Sequence, residues 1–131
     1  MRRRSPLERS GLCLAALLAF SFPAWAEGGD AARGAATFKA CSNCHVVQGD
    51  RTVFGPSLQG VVGRKAGSVP GYRYSEAMTA AGAQGLVWTE ADLSAFLSSP
   101  KRKVPGTSMR FWGFWSQSSI DDVIAYLKAN P

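Results

Sequence analysis

The stretch Cys41-Ser42-Asn43-Cys44-His45 decides how this sequence folds, because it places two thiols and an imidazole within about one helical turn. His45 is the only histidine of the chain, and beyond residue 26 the only cysteines are Cys41 and Cys44. Two thiols at this spacing can each add across one vinyl group of a haem, and the next side chain then points an imidazole at the iron. The spacing C-x-x-C-H therefore predicts a covalently attached haem c.

Other chemistries of the same motif fit the chain less well. A structural zinc site needs about four Cys or His ligands, whereas this chain offers three and no second pair further along. A thioredoxin-like redox pair requires a strand-helix-strand setting, which the alanine-rich segment from Asp30 to Ala40 does not supply. A structural disulfide stays open in an oxidising compartment, but it leaves His45 without a role.

The first 26 residues have the pattern of a secretory signal peptide. Arginines 2 to 4 precede an uncharged run from Gly11 to Phe20 and then the triplet Ala24-Trp25-Ala26, which has small residues at its outer positions. We expect cleavage after Ala26, export to the periplasm, and loss of Cys13 with the signal. The apolar run is much shorter than the roughly 20 residues that cross a bilayer, so an uncleaved membrane anchor is disfavoured.

Residues 27–131 are expected to form one domain of 105 residues with a thin core, to which a covalent cofactor would add stability. They carry 11 basic and 8 acidic side chains, a net charge of +3. This balance does not favour a nucleic-acid partner, since such proteins usually show a dense basic face.

The second iron ligand would distinguish an electron carrier from a haem protein that binds small molecules. A methionine closes the iron position that small molecules would otherwise occupy. Met109 follows the loop Val104-Pro105-Gly106-Thr107-Ser108, whose proline and glycine restrict the backbone and whose Thr107 hydroxyl can bond locally. Met78 lies in a predicted short helix from Tyr74 to Ala81 and is expected in the core. The loop favours Met109 as the ligand.

Helix signals account for most of the remaining chain. Asp30 caps an alanine-rich segment that runs to Lys39, Thr89 with Asp92 opens a second helix, and Ser118 or Ser119 before two aspartates opens the last. In the last helix, apolar residues recur at helical spacing and form one buried stripe of Ile120, Val123, Ile124 and Leu127. The glycine- and proline-rich segment between His45 and Tyr74 predicts turns.

These features, in their order and spacing, resemble the class I cytochromes c, both the mitochondrial type and its soluble bacterial relatives. The matching segments are Gly29-Asp30 with Gly34 and Phe38, Cys41 to His45, Gly55 to Gly60, Gly63 to Lys65, Gly71 to Ser75, Trp88, Pro105 to Thr107 with Met109, Phe111 and Gly113, and Ile124 to Leu127. The resemblance implies an all-α cytochrome c fold, with about four to five short helices and long loops wrapped around one covalent haem c. It also implies that the first and last helices cross at Gly34, with Phe38 near Val123 and Tyr126.

The resemblance assigns roles to residues around the haem. It implies that Cys41 and Cys44 hold haem c, that His45 and Met109 ligate the iron, and that the Pro56 carbonyl orients His45. The remaining positions expected to bind the cofactor are Arg64, Tyr74 and Trp88, at the propionates, and Thr107. A plain core role for Trp88 stays open. Three features depart from the family pattern. Phe96 stands where a tyrosine is common, Met78 stands where mitochondrial proteins have asparagine, and the segment Phe111 to Trp115 is unusually rich in aromatic side chains. We expect some of these aromatics to pack on the Met109 side, and an exposed Trp112 or Trp115 as a docking or dimer contact stays open.

The implied function is that of a periplasmic carrier of single electrons and not of an enzyme. The expected partners are redox proteins such as a quinol-cytochrome c reductase, a terminal oxidase, a photosynthetic reaction centre or a periplasmic dehydrogenase. Docking would use Lys101, Arg102 and Lys103, with Lys39 and Lys65 as weaker candidates. The protein is expected to be monomeric and not inserted in a membrane. Two alternatives stay open: a haem enzyme or a sensor of peroxide, nitric oxide or carbon monoxide from which Met109 dissociates, and a non-haem metal or disulfide module.

Overall fold

A computed structural model describes residues 28–131, so the expected signal peptide lies outside the described residues. The described part is helical, as the sequence predicts, and its only β-pairing is an isolated antiparallel bridge between Lys65 and Val87. The five α-helices are α1 (Ala31–Thr37), α2 (Glu76–Ala83), α3 (Glu90–Ser98), α4 (Pro100–Lys103) and α5 (Gln117–Lys128), with a 3-10 turn at Phe38–Ala40 after α1. No helix in this part of the chain is long and apolar enough to cross a membrane.

The first three α-helices begin at side-chain caps. The carboxylate of Asp30 accepts a hydrogen bond from Arg33 N at 2.8 Å, and the Thr89 hydroxyl accepts one from Asp92 N at 3.1 Å. Both helix starts confirm the sequence prediction. Helix α2 begins at Glu76, two residues later than predicted, because the Ser75 hydroxyl caps Met78 N at 3.2 Å.

The predicted start of the last helix, with Ser118 or Ser119 as its cap, is wrong by two or three residues. Helix α5 begins at Gln117, and Ser116 occupies the N-cap position without a capping side-chain bond. The physical reason is that the side-chain amide nitrogen of Gln117 donates to Asp121 Oδ1 at 2.8 Å and to Ser94 Oγ at 3.0 Å. These contacts stabilise an additional helical residue ahead of the serines.

Helices α1 and α5 cross at Gly34, as the resemblance implies. A β-carbon at Gly34 would overlap the Asp122 carbonyl, so only glycine allows the two backbones this approach. Next to the crossing, the rings of Phe38 and Tyr126 pack with centroids 5.3 Å apart. The apolar stripe of α5 is buried, since Ile120, Val123, Ile124 and Leu127 all lie in the core.

The segment between Cys44 and Ser75 contains no helix and connects the ends of the fold through turns, as predicted. Five of its glycines have positive φ angles. Within this segment Leu58 N donates to Val46 O at 2.8 Å, and Ala66 N donates to Leu86 O at 2.9 Å. The loop is therefore tied both to the C-x-x-C-H turn and to the chain ahead of α3.

Candidate haem-attachment site

The two thiols and the imidazole lie on a single tight turn that follows α1. Cys41 N donates to Phe38 O at 2.7 Å, which closes the 3-10 turn, and Cys44 N and His45 N both donate to Cys41 O at 3.0 Å. Both cysteines are free thiols, with Cys41 half-buried and Cys44 exposed. Burial raises the pKa of the Cys41 thiol, and the neighbouring Cys44 raises it further.

His45 is held in one tautomer by the loop opposite. Its Nδ1 lies 2.8 Å from the carbonyl oxygen of Pro56, the contact that the resemblance implies. Because a carbonyl can only accept, Nδ1 carries the proton, and the lone pair of Nε2 is free to bind a metal. Burial lowers the pKa of His45, with the Pro56 bond opposing, so the ring is neutral at neutral pH as a metal ligand must be.

Gly55 makes this position of the ring possible. A β-carbon at Gly55 would overlap His45 Cε1, and Gly55 N donates to Cys44 O at 2.7 Å. The Gly55-Pro56 pair therefore both makes space for the imidazole and anchors it. Two free thiols, one turn, and an oriented neutral imidazole fit covalent haem attachment with a histidine iron ligand.

The two methionines lie in different environments. Met78 is buried in the core on α2, as expected, whereas Met109 is half-buried at its edge. Met109 N donates to Thr107 Oγ1 at 3.3 Å, and Thr107 N donates to Val104 O at 3.0 Å. Thr107 is itself buried and so fixes the loop that leads out of α4.

The structure brings Arg64, Tyr74 and Trp88 into one region. Trp88 N donates to Arg64 O at 2.9 Å, and the charge of the Arg64 guanidinium acts on the phenol of Tyr74 and opposes the rise in its pKa that burial causes. Arg64 donates to Gln59 O and Ser57 O, each at 2.8 Å, and burial lowers its pKa. Among residues 28–131 its hydrogen-bond acceptors are thus backbone carbonyls.

Two of these aromatic side chains are also structural. The Trp88 ring is buried against Phe96 with centroids 4.9 Å apart, so Trp88 is a core residue in addition to any contact with a cofactor. The Tyr74 hydroxyl accepts a hydrogen bond from Val69 N at 3.2 Å, and its ring packs edge-on against Tyr72 at 4.7 Å.

The basic run near Met109 is organised in a way that the sequence did not indicate. Pro100–Lys103 forms the short helix α4, and Lys103 Nζ is paired with Asp92 Oδ1 at 2.6 Å. Lys101 instead places its Nζ 5.5 Å from the ring centroid of Trp112. The proline at the first position of α4, preceded by a serine, is the signal that would have predicted the helix.

A helical domain that holds two free thiols and an oriented imidazole on one turn has the construction of a c-type haem protein. The family model for cytochrome c matches residues 31–131. The chain belongs to the cytochrome c family.

Named relatives extend over nearly the same part of the chain. It is 49% identical over 100 residues to cytochrome c2 from Agrobacterium tumefaciens, an alignment that covers 76% of this chain and 90% of the relative. Among solved structures it is similar to cytochrome cH from Methylobacterium extorquens (46% identity, TM-score 0.71, covering 77% of this chain and 99% of that one). It is also similar to cytochrome c2 from Rhodospirillum centenum (37% identity, TM-score 0.75, covering 78% and 98%).

Membership of this family gives the chain a covalently bound haem c, and Cys41 and Cys44 fit the attachment motif. The same relatives are named as cytochromes, which supports a role in electron transport. This finding speaks against the non-haem metal or disulfide module left open by the sequence.

Proposed function

We propose that the chain is a periplasmic carrier of single electrons, with one haem c held by Cys41 and Cys44 and with His45 and Met109 as the iron ligands. The bound haem supplies a ferric/ferrous couple. The observation that carries the proposal is the bond from His45 Nδ1 to Pro56 O at 2.8 Å, because it fixes the tautomer that leaves Nε2 for the iron. The proposal includes export through the signal of residues 1–26, which is removed before function.

Met109 is the second ligand in this proposal because its side chain lies at the edge of the core on a loop fixed by Thr107, whereas Met78 is packed inside. A methionine in that position occupies the site where a substrate or a small molecule would bind. The protein then exchanges electrons without chemical turnover, so it is a carrier and not an enzyme.

Arg64, Tyr74 and Trp88 would bind the haem propionates. The support is that the three lie together, and that burial of a carboxylate requires hydrogen-bond donors nearby. Arg64 is already oriented by its bonds to Gln59 O and Ser57 O, so its guanidinium keeps a fixed position. A guanidinium retains its charge when half-buried, which suits this role.

The experiment is an absorption spectrum of the purified periplasmic protein, including the weak near-infrared band of a ferric haem with a methionine ligand. We expect Met109→Ala to lose this band and Met78→Ala to keep it. Persistence of the band in Met109→Ala contradicts the ligand assignment. Ready uptake of carbon monoxide by the unmodified ferrous protein would instead favour a ligand-binding or sensing haem protein.

A further inference from the structure

Two large aromatic side chains are exposed shortly after the loop from Val104 to Met109, called here the Met109 loop. Trp112 is 90% exposed and Trp115 is 102% exposed, the highest values among the large apolar residues of the described chain. Burial of a side chain of this size contributes a large part of the stability of a core or an interface. Their exposure therefore needs a physical explanation.

The backbone holds both tryptophans outward. Gly113 has a φ of +111°, and a β-carbon there would overlap the Ser98 carbonyl at the end of α3. Phe114 N donates to Leu97 O at 2.9 Å, and Phe111 and Phe114 pack edge to face with centroids 5.0 Å apart. The segment is thus anchored on its inner side, and the exposure of the tryptophans is a fixed property of the fold.

Positively charged side chains lie near Trp112 in space or in sequence. Lys101 lies over Trp112, and Arg102 and Arg110 are exposed on either side of the Met109 loop in sequence. Within residues 28–131 no carboxylate forms a salt bridge with these three cations, whereas Lys103 is paired with Asp92. Two exposed aromatic side chains, with cations nearby that form no salt bridge in this part of the chain, are complementary to a surface with an apolar centre and an acidic rim.

We propose that Trp112 and Trp115 form the apolar centre of the surface on which the chain docks its redox partner, a protein with an acidic rim around an apolar patch. This inference rests on the proposed function. Tryptophan and arginine are the side chains that most often dominate binding energy at protein interfaces. Trp112 follows Met109 by three residues, so a protein seated on the pair lies beside the proposed iron ligand. A partner that exchanges electrons needs that proximity, and a lipid surface does not.

The test uses the holoprotein with a detergent-purified cytochrome c oxidase and, in parallel, a quinol-cytochrome c reductase. We expect Trp112→Ala and Trp115→Ala each to raise KM about fivefold, the effect of losing one interface anchor. The value of kcat, the haem spectrum and the salt dependence should stay as in the unmodified protein, because an apolar contact is not screened. Trp112→Phe should restore much of the affinity.

Two sets of variants serve as controls. Phe54→Ala removes another aromatic side chain that is 79% exposed, and it should leave KM unchanged. Lys101→Gln, Arg102→Gln and Arg110→Gln should flatten the dependence of the rate on ionic strength, since they remove steering charge. An effect on KM alone therefore identifies the apolar centre, whereas an effect on the salt dependence identifies the charged residues around it.

Four outcomes overturn the proposal. The first is an unchanged KM in the Trp112→Ala/Trp115→Ala double variant with an active unmodified protein. The second is tryptophan-dependent sedimentation with phosphatidylglycerol vesicles while KM is unaffected, which would indicate a membrane contact. The third is a tryptophan-dependent dimer in analytical ultracentrifugation, which would indicate a second copy of the chain. Failure of the unmodified holoprotein to exchange electrons with either probe contradicts the proposed function itself, and this surface with it.

Discussion

Arg33 holds the carboxylate of Asp122 through two hydrogen bonds, from Nε to Oδ2 and from Nη2 to Oδ1, each at 2.8 Å. The backbone N of Asp30 adds a third bond to Oδ1 at 2.6 Å. Asp122 lies on the inner side of α5, and Arg33 and Asp30 belong to the start of α1. These contacts fix the crossing that Gly34 makes sterically possible.

The ion pair makes the stability of the fold depend on pH. The hydrogen bond from Arg33, followed by that from the Asp30 amide, holds the pKa of Asp122 below its usual range. A carboxyl with a lowered pKa in the folded state stabilises that state above the unfolded pKa of about 4, and the contribution is lost as the pH falls through the folded pKa. We expect Asp122→Asn to be less stable than the unmodified protein at pH 7, and the difference to shrink below about pH 4. Urea unfolding of both proteins across this range measures it, and a difference that grows in acid would contradict the assignment.

Gly34→Ala tests the helix crossing directly. Alanine raises helix propensity by about 1 kcal/mol relative to glycine, so propensity alone predicts a more stable protein. Its β-carbon would overlap a backbone carbonyl of α5, which cannot rotate away as a flexible side chain can. Overpacking costs about 1–3 kcal/mol or more, so we expect net destabilisation in urea unfolding. Gly28→Ala, which lies ahead of α1, is a control for a glycine substitution without steric overlap, since a β-carbon there meets nothing within 4 Å. A stabilised Gly34→Ala would show that the crossing can relax.

The helices and the attachment turn could be predicted from sequence because their determinants are local. Asp30 and Thr89 cap helices that begin one residue later, and the apolar stripe of α5 identifies its buried face. The contact between Pro56 and His45 was predicted from the family resemblance alone, because nothing in the spacing of these two residues specifies a contact across the loop.

What the sequence did not show depends on contacts between distant segments. The start of α5 depends on a bond from Gln117 to Ser94, 23 residues earlier, and the pairing of Lys103 with Asp92 joins two helices. The outward orientation of Trp112 and Trp115 depends on the anchoring of Gly113 and Phe114 against the end of α3. A sequence motif does not specify contacts between residues that are so far apart along the chain.

Gly55→Ala should damage the site itself more than the fold. The added methyl group would overlap the His45 ring, and because the ring is tethered to Pro56 it must turn away from that bond. We expect the variant to retain helical circular dichroism but to weaken the proposed bond from His45 to the haem iron, visible as a shifted haem spectrum and a changed reduction potential. Gly28→Ala again serves as the control, and an unaltered spectrum in Gly55→Ala would mean that the imidazole does not depend on this space.

Arg64 can be tested for separate mechanical and electrostatic roles by two substitutions. Arg64→Lys keeps the charge but cannot donate to both Gln59 O and Ser57 O in the fixed geometry of a guanidinium. We expect both Arg64→Lys and Arg64→Leu to lower the free energy of unfolding by about 1–3 kcal/mol, since carbonyls in a partly buried loop lose their donors.

Only Arg64→Leu removes a positive charge from the proposed propionate region. Loss of that charge favours the ferric state, which carries one more positive charge, so the reduction potential should fall in Arg64→Leu and change less in Arg64→Lys. Redox titration measures both variants, and equal shifts in the two would leave Arg64 a structural residue alone.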